Sequence, residues 1–290
     1  MTRLNAGVLA WAAACLSVAA SDPPKGVPTY TEAGVVQLAR LAPGPVAPNS
    51  LMAIFGSELA WVTTARPGND ETVNVLPILL SGTGVTVSVN GLAAPVEMVS
   101  PEQVNFLIPA NLLPGKAEIR LVMNGRAGPR VELDVVEAAP AVFCLEEGAV
   151  LARHEETFEW VDRTNFAKPG EMIRVYVSGL GQTNPSLGYR ELPREEAEVL
   201  LRDEVVVTIG GVELSGEALP YVGVMPGFPG IYEIRLMVPE MEEGDPEIRV
   251  RVREQSSQEG VRLIMREKAV EPEPEPEEPA EPEPNESQNK

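Results

Sequence analysis

The strongest constraint on this chain is that it repeats itself at the spacing of a whole domain. Pro48–Gly56 (PNSLMAIFG) is echoed by Pro169–Val177 (PGEMIRVYV), Val85–Gly91 (VTVSVNG) by Val205–Gly211 (VVVTIGG), and Gln103–Pro109 (QVNFLIP) by Glu233–Pro239 (EIRLMVP). The echoes keep their order and are offset by about 120 to 130 residues, the size of one small domain and far beyond the period of about 20 to 50 residues of a solenoid. At 290 residues the chain has room for two such units. Within each copy apolar residues alternate with polar ones. Val85, Val87 and Val89 alternate with Thr86, Ser88 and Asn90, and Ile248, Val250 and Val252 alternate with Arg249, Arg251 and Arg253. Period two predicts strands with one face in a core and one in water. Asn90-Gly91, Pro114-Gly115, Asn124-Gly125 and Gly210-Gly211 punctuate them as turns. The expected fold class is therefore all-β, two tandem β-sandwiches or barrels over 34–137 and 138–266. Arg194–Leu201 is the one stretch that reads as two helical turns.

The two ends differ from the body. Arg3, the small apolar run from Gly7 to Ala20 and the small residues Val18-Ala19-Ala20 predict a signal peptide over 1–20, cut between Ala20 and Ser21. The run is short for a membrane span, so no span is expected after signal removal. An alternative is lipidation at Cys15, which follows Ala12-Ala13-Ala14. Residues 21–33 read as an extended, Pro-rich linker. Residues 267–290 alternate Glu and Pro and read as a disordered acidic strut, dispensable for folding. The formal charge of −20 argues against nucleic acid and anionic membrane surfaces as partners. The setting this predicts is secreted, periplasmic or on the outer surface of a Gram-negative-type bacterium.

Two long segments interrupt the strand pattern at matching places, Trp61–Thr83 and Gln182–Asp203, and each contains a Leu-Pro pair, Leu76-Pro77 and Leu192-Pro193. Loops of this length are often functional, and the other reading is an edge strand plus a turn. Trp61 and Tyr189, at these loops, are the candidate ligand-binding residues, since an aromatic ring at a sandwich end can stack on a sugar or anchor a partner; the alternative is a cap on the core.

Taken together, Pro48–Ala60, Val85–Pro95 and Ser100–Pro109 in the first copy resemble a known family. So do Lys168–Glu171, Tyr176–Gly181, Thr208–Gly211 and Pro226–Tyr232 in the second. They are similar to the Solibacter-type uncharacterised C-terminal module of exported acidobacterial proteins, with paired IPT/TIG-type immunoglobulin-like domains. The resemblance spans about Gly34 to Arg266. It implies that the two units are tandem immunoglobulin-like β-sandwiches, with export and an extracellular setting, and it carries no established activity and no catalytic residue. The acidic tail and the charged loop Tyr189–Asp203 depart from the family pattern.

Chemistry-bearing groups are sparse. The single His154 lies in the polar stretch Arg153–Glu156, which reads as a turn or edge, with no nucleophile elbow to make a triad. Too few His and Cys are present for a zinc site, and Asn69-Asp70-Glu71 offers oxygens to calcium without a full ligand ladder. Once a leader is removed Cys144 has no disulfide partner, and Phe143-Cys144-Leu145 predicts a buried thiol. The pairs Glu155-Glu156, Glu195-Glu196 and Glu242-Glu243 read as solvated faces, although a glycosidase carboxylate pair is a remote alternative. Pro226–Gly230 has no nucleotide-binding spacing and reads as structural, with Phe228 plugging the sandwich base. No catalytic residue, metal or cofactor is expected. The favoured function is a non-enzymatic binding or adhesion module with a protein or glycan partner, and the alternative is an envelope spacer.

Overall fold

The computed structural model describes residues 26–67, 74–241 and 244–266. The expected signal peptide with Cys15, Ala20 and Ser21, the tail from 267, Asn69-Asp70-Glu71 and Glu242-Glu243 lie outside the described residues. The fold is nearly all β. In the first half, strands β1 (Thr29–Gln37), β2 (Leu51–Ser57), β3 (Thr64–Ala65), β6 (Val96–Val99) and β7 (Gln103–Leu107) form one sheet in the order β1-β2-β7-β6-β3, and β4 (Val85–Val89), β5 (Leu92–Ala94), β8 (Gly115–Met123) and β9 (Arg126–Val135) form a second, β5-β4-β8-β9. The second half repeats this plan. Strands β10 (Ala141–Val142) and β11 (Ala152–His154) share one edge of β12 (Met172–Ser178). That strand leads a sheet in which β18 (Tyr232–Met237), β17 (Tyr221–Val224), β14 (Glu198–Val199) and β13 (Thr183–Asn184) follow in order. Strands β16 (Val212–Leu214), β15 (Val205–Ile209), β19 (Ile248–Val252) and β20 (Gln255–Ser256) make its four-stranded partner sheet.

The echoed segments occupy equivalent places. The first echo supplies β2 and β12, the third supplies β7 and β18, and each pair is hydrogen-bonded antiparallel, with Leu51 opposite Leu107 and Met172 opposite Met237. Each half closes its own core. Met52, Ile54, Val87, Phe106 and Leu121 pack in the first, and Ile173, Val175, Val207, Ile234 and Val250 in the second. The expected alternation holds in β4, β15 and β19, whose inward valines and isoleucines are buried while the intervening side chains stay at least partly exposed. Asn90-Gly91 and Asn124-Gly125 both take positive φ, the type I′ geometry that matches the twist of a two-residue hairpin.

Three expectations change. Arg194–Leu201 is not helical: Glu198 pairs with Gly223 and Asn184 in the sheet, and Leu200 N–H donates to Gln182 O. The first sandwich begins before Gly34. β1 starts at Thr29, and Tyr30 is buried with its hydroxyl donating to Pro129 O and accepting from Leu121 N–H. Third, β7 is buried on both faces, as is most of β2. Their outward residues Leu51, Ala53 and Leu107 join Val36, Leu38 and Leu76 in a third apolar cluster that also takes Leu192 and Phe143 from the second half. The outer face of the five-stranded sheet is a seam between the halves.

Candidate functional site: the seam and the outer face of the seven-stranded sheet

The two long segments meet at that seam. Leu76 N–H donates to Arg190 O (2.7 Å), Leu192 N–H donates to Asn74 O (3.2 Å), and Val75 and Glu191 form an antiparallel bridge. The Arg190 guanidinium adds a bond to Leu76 O at 2.7 Å. The carbonyls of Pro77 and Pro193 accept from Val96 and Gly227 in their own halves. The matching Leu-Pro pairs thus form one reciprocal clamp, with both leucines buried. Each segment also holds the edge strand of the other reading: Thr64–Ala65 pairs with β6, and Glu198 pairs with β17.

The Ser178–Gly181 segment is the second fastening. Ser178 Oγ accepts from Leu51 N–H and donates to Gly230 O. Tyr232 Oη donates to Gly181 O and accepts from Asn49 Nδ2 at 3.2 Å. Tyr232 is fully buried, and burial raises its phenol pKa. A Cβ on Gly179 would collide with Ala139 O and Gln37, and one on Gly181 with Glu137 O; both glycines have positive φ, so close approach and backbone conformation both demand glycine.

The candidate ligand residues Trp61 and Tyr189 are placed by these elements. Trp61 is half-buried and its indole N–H donates to Thr83 O (3.2 Å), closing the base of the first long segment. Tyr189 donates its hydroxyl to Ala93 O, from the second half to the first. Both rings therefore have partners within the fold.

Other groups are also committed. His154 lies on the edge strand β11 and is buried rather than in a solvated turn, with Nδ1 3.2 Å from Glu171 and Nε2 3.2 Å from Asn165 O. Neither ring nitrogen is left over for a substrate. Cys144 is exposed, correcting the expected buried thiol, because β10 ends at Val142, the last residue of this stretch to enter the core. Nearby protein atoms still desolvate its sulfur and push the thiol pKa up, away from a reactive thiolate. Phe228 is partly exposed in a turn where Gly227 N–H donates to Pro193 O, so this segment braces the clamp. Among the described residues no group of three or more His, Cys, Asp and Glu could hold a metal ion, and no helix is long and apolar enough to cross a membrane.

The outer face of the seven-stranded sheet holds what composition did not reveal. Cross-strand register puts Arg153, Arg174, Arg235 and Tyr221 in one row across β11, β12, β18 and β17. Each arginine stacks on an aromatic ring. Arg153 lies 3.7 Å from the Trp160 centroid, Arg174 4.6 Å from that of Phe158 and Arg235 4.5 Å from that of Tyr221. Carboxylates alternate with them: Glu155 binds Arg174, Glu233 sits between Arg174 and Arg235, and Glu196 binds Arg235. Burial opposes the charge of Arg174 and Arg235, but these carboxylates outweigh it and hold both above the usual guanidinium range. Glu155 and Glu196 are thus spent on arginines, which removes them from the glycosidase-pair reading. Trp160 meets Tyr176 edge to face at 6.0 Å, and burial pushes the Tyr176 phenol up to about 12. Phe158 stands at the β11 hairpin turn with φ of 58° and is 52% exposed, its ring backed by Arg174 and its other side open to water. The sequence signal was present in the spacing of Arg153, Phe158 and Trp160, but only register assembles the row.

No family model and no curated protein matches this chain. Among solved structures it is similar to SGBP-B of the Bacteroides ovatus mixed-linkage glucan utilization locus, solved with a mixed-linkage heptasaccharide. The identity is 15% and the TM-score 0.32, covering 85% of this chain and 47% of that one. It is also similar to the surface glycan-binding protein PbSGBP-B of Prevotella bryantii, at 13% identity and a TM-score of 0.24, covering 81% and 41%. Domains 5–6 of the S-layer protein SbsC match at 12% identity and a TM-score of 0.23, covering 82% and 98%. The chain spans less than half of the two glycan-binding proteins.

Proposed function

We propose that this chain is an exported, non-catalytic binding module of the bacterial envelope that holds an uncharged glycan on the outer face of its seven-stranded sheet. The observation that carries this reading is Phe158, presented to solvent beside an arginine-carboxylate row. A pyranose offers an apolar C–H face to an aromatic ring and hydroxyls to charged donors and acceptors. Three arginines and three glutamates balance across the row, and the chain as a whole is strongly acidic, so an anionic polysaccharide gains no attraction here. The leader residues Arg3 to Ser21 support export, and the repeated motifs support membership of the Solibacter-type module with IPT/TIG-like halves. A glycan array on the mature protein tests this. Phe158→Ala is expected to weaken glycan binding at least tenfold with an unchanged melting temperature, and unchanged affinity overturns the reading. Trp61→Ala and Tyr189→Ala on the same array decide whether the candidate loop residues take part.

A second reading, an envelope spacer, is favoured by the seam, which spends both long segments on fixing the two halves together. A spacer retains an envelope companion in pull-downs when Phe158 is replaced, and a glycan-binding module does not need one.

A further inference from the structure

We infer that the cleft where the two halves meet is a second sugar subsite, taking a single uncharged pyranose or furanose unit. This deepens the glycan reading and rests on it for the ligand class. The cleft has a volume of about 160 Å³ and draws its walls from both halves, Asn49 and Asn111 on one side and Gln182, Thr183, Ser186 and Leu187 on the other. At about 30 Å³ for each water in the liquid, it holds about five waters, the scale of one sugar ring and below the roughly 300 Å³ at which drug-sized pockets begin.

The lining carries no charged side chain. A charged ligand would lose hydration with no counter-charge in return, whereas amides and hydroxyls both donate and accept, as vicinal sugar hydroxyls do. The polar groups divide by role. Asn49 donates to Tyr232 Oη and Thr183 donates to Pro185 O, so these two shape the walls. Asn111, Gln182 and Ser186 make no side-chain hydrogen bond among the described residues and stand open to a ligand. Leu187 supplies an apolar patch for a ring C–H face. The two walls cannot drift apart, because Tyr232 ties Asn49 to Gly181 at the cleft itself. That preorganisation reduces the entropy a ligand must supply.

Isothermal titration of the full chain with cellohexaose and xylohexaose, and with an oligogalacturonide of equal length as the charged comparison, tests the inference. Asn111→Ala combined with Gln182→Ala is expected to weaken the uncharged hexaose that binds about tenfold, as loss of two hydrogen bonds implies. The melting temperature should not change, since neither side chain supports the fold. Wild-type affinity in that double variant overturns the cleft and leaves the sheet-face reading standing. Loss in the double variant with full binding in Phe158→Ala keeps the cleft and removes the sheet face. Equal or tighter binding of the oligogalacturonide overturns the uncharged specificity, and a wild-type chain that binds neither hexaose overturns both sites.

Discussion

The two halves share one strand plan and use it in opposite ways. In the first, the outer face of the larger sheet carries Leu51, Ala53 and Leu107, packed against Leu192 and Phe143 of the second half, with the buried, hydrogen-bonded pair Gln103 and Asn105 beside them. In the second, the equivalent face carries Arg174, Arg235, Glu233 and Tyr176 and is laced with ion pairs. The aligned positions show how: Ala53 of β2 matches Arg174 of β12, and Gln103 and Asn105 of β7 match Glu233 and Arg235 of β18. Changing outward residues from small or neutral to charged leaves the inner core intact, since the two faces of a strand are chemically independent. One copy thereby becomes the fixed partner, and the other keeps a charged face outside the seam.

The largest expected effect breaks the fixed side of this comparison. Gly181→Val combines a positive-φ strain with a collision against Glu137 O and is expected to cost on the order of 4 kcal/mol. Scanning calorimetry should then resolve two transitions where the parent shows one; a single transition at the parental temperature means the halves are not coupled through this contact. Next in size, Arg235→Ala attacks only the second half's outer face. Glu233 is 2% exposed and would keep Arg174 alone, so a loss of about 3 kcal/mol in urea unfolding is expected. A change under 1 kcal/mol would show that the row is solvated and contributes little.

Tyr232→Phe sharpens the comparison at the seam without altering its shape. It leaves Asn49 and Gly181 O without their buried partner and should cost about 1–3 kcal/mol; a neutral result would mean that water replaces the hydroxyl. The smallest effect near neutrality concerns pH. Burial raises the phenols of Tyr30, Tyr176, Tyr221 and Tyr232 above the usual value near 10, with Tyr176 at about 12. A raised phenol favours the folded state fully below pH 10. Above that the unfolded chain loses protons first, so stability falls as pH climbs toward 12. In a Tyr189→Phe variant, which leaves only these phenols, tyrosinate absorbance should rise together with unfolding, and a rise in the still-folded variant at pH 10 would contradict the burial of these rings.

Much of this fold was legible because its signals are local. Val85, Val87 and Val89 alternate with polar residues, Asn90-Gly91 closes a hairpin, and the same order returns in the second copy. The candidate site was less legible. Arg153 read as part of a turn or edge, Arg174 only as one residue of an echoed strand, and Glu155 as one of a solvated pair, because their meeting depends on the register of strands separated by turns of different length. Trp61 and Tyr189 stood out as aromatics in long segments, yet nothing local says that such a segment will find its counterpart in the other copy.

By itself the sequence determined the all-β class, the doubling, the inner cores and the hairpin turns, since period two and turn chemistry act over a few residues. Only the tertiary structure decided that Leu76-Pro77 clasps Leu192-Pro193, that Ser178 holds Leu51 across 127 residues, and that three arginines stack on three rings. Alternation says that a strand has two chemically distinct faces. It cannot say what the outward face will meet, because that contact is chosen by shape and hydrogen bonding between surfaces that exist only after each half has folded.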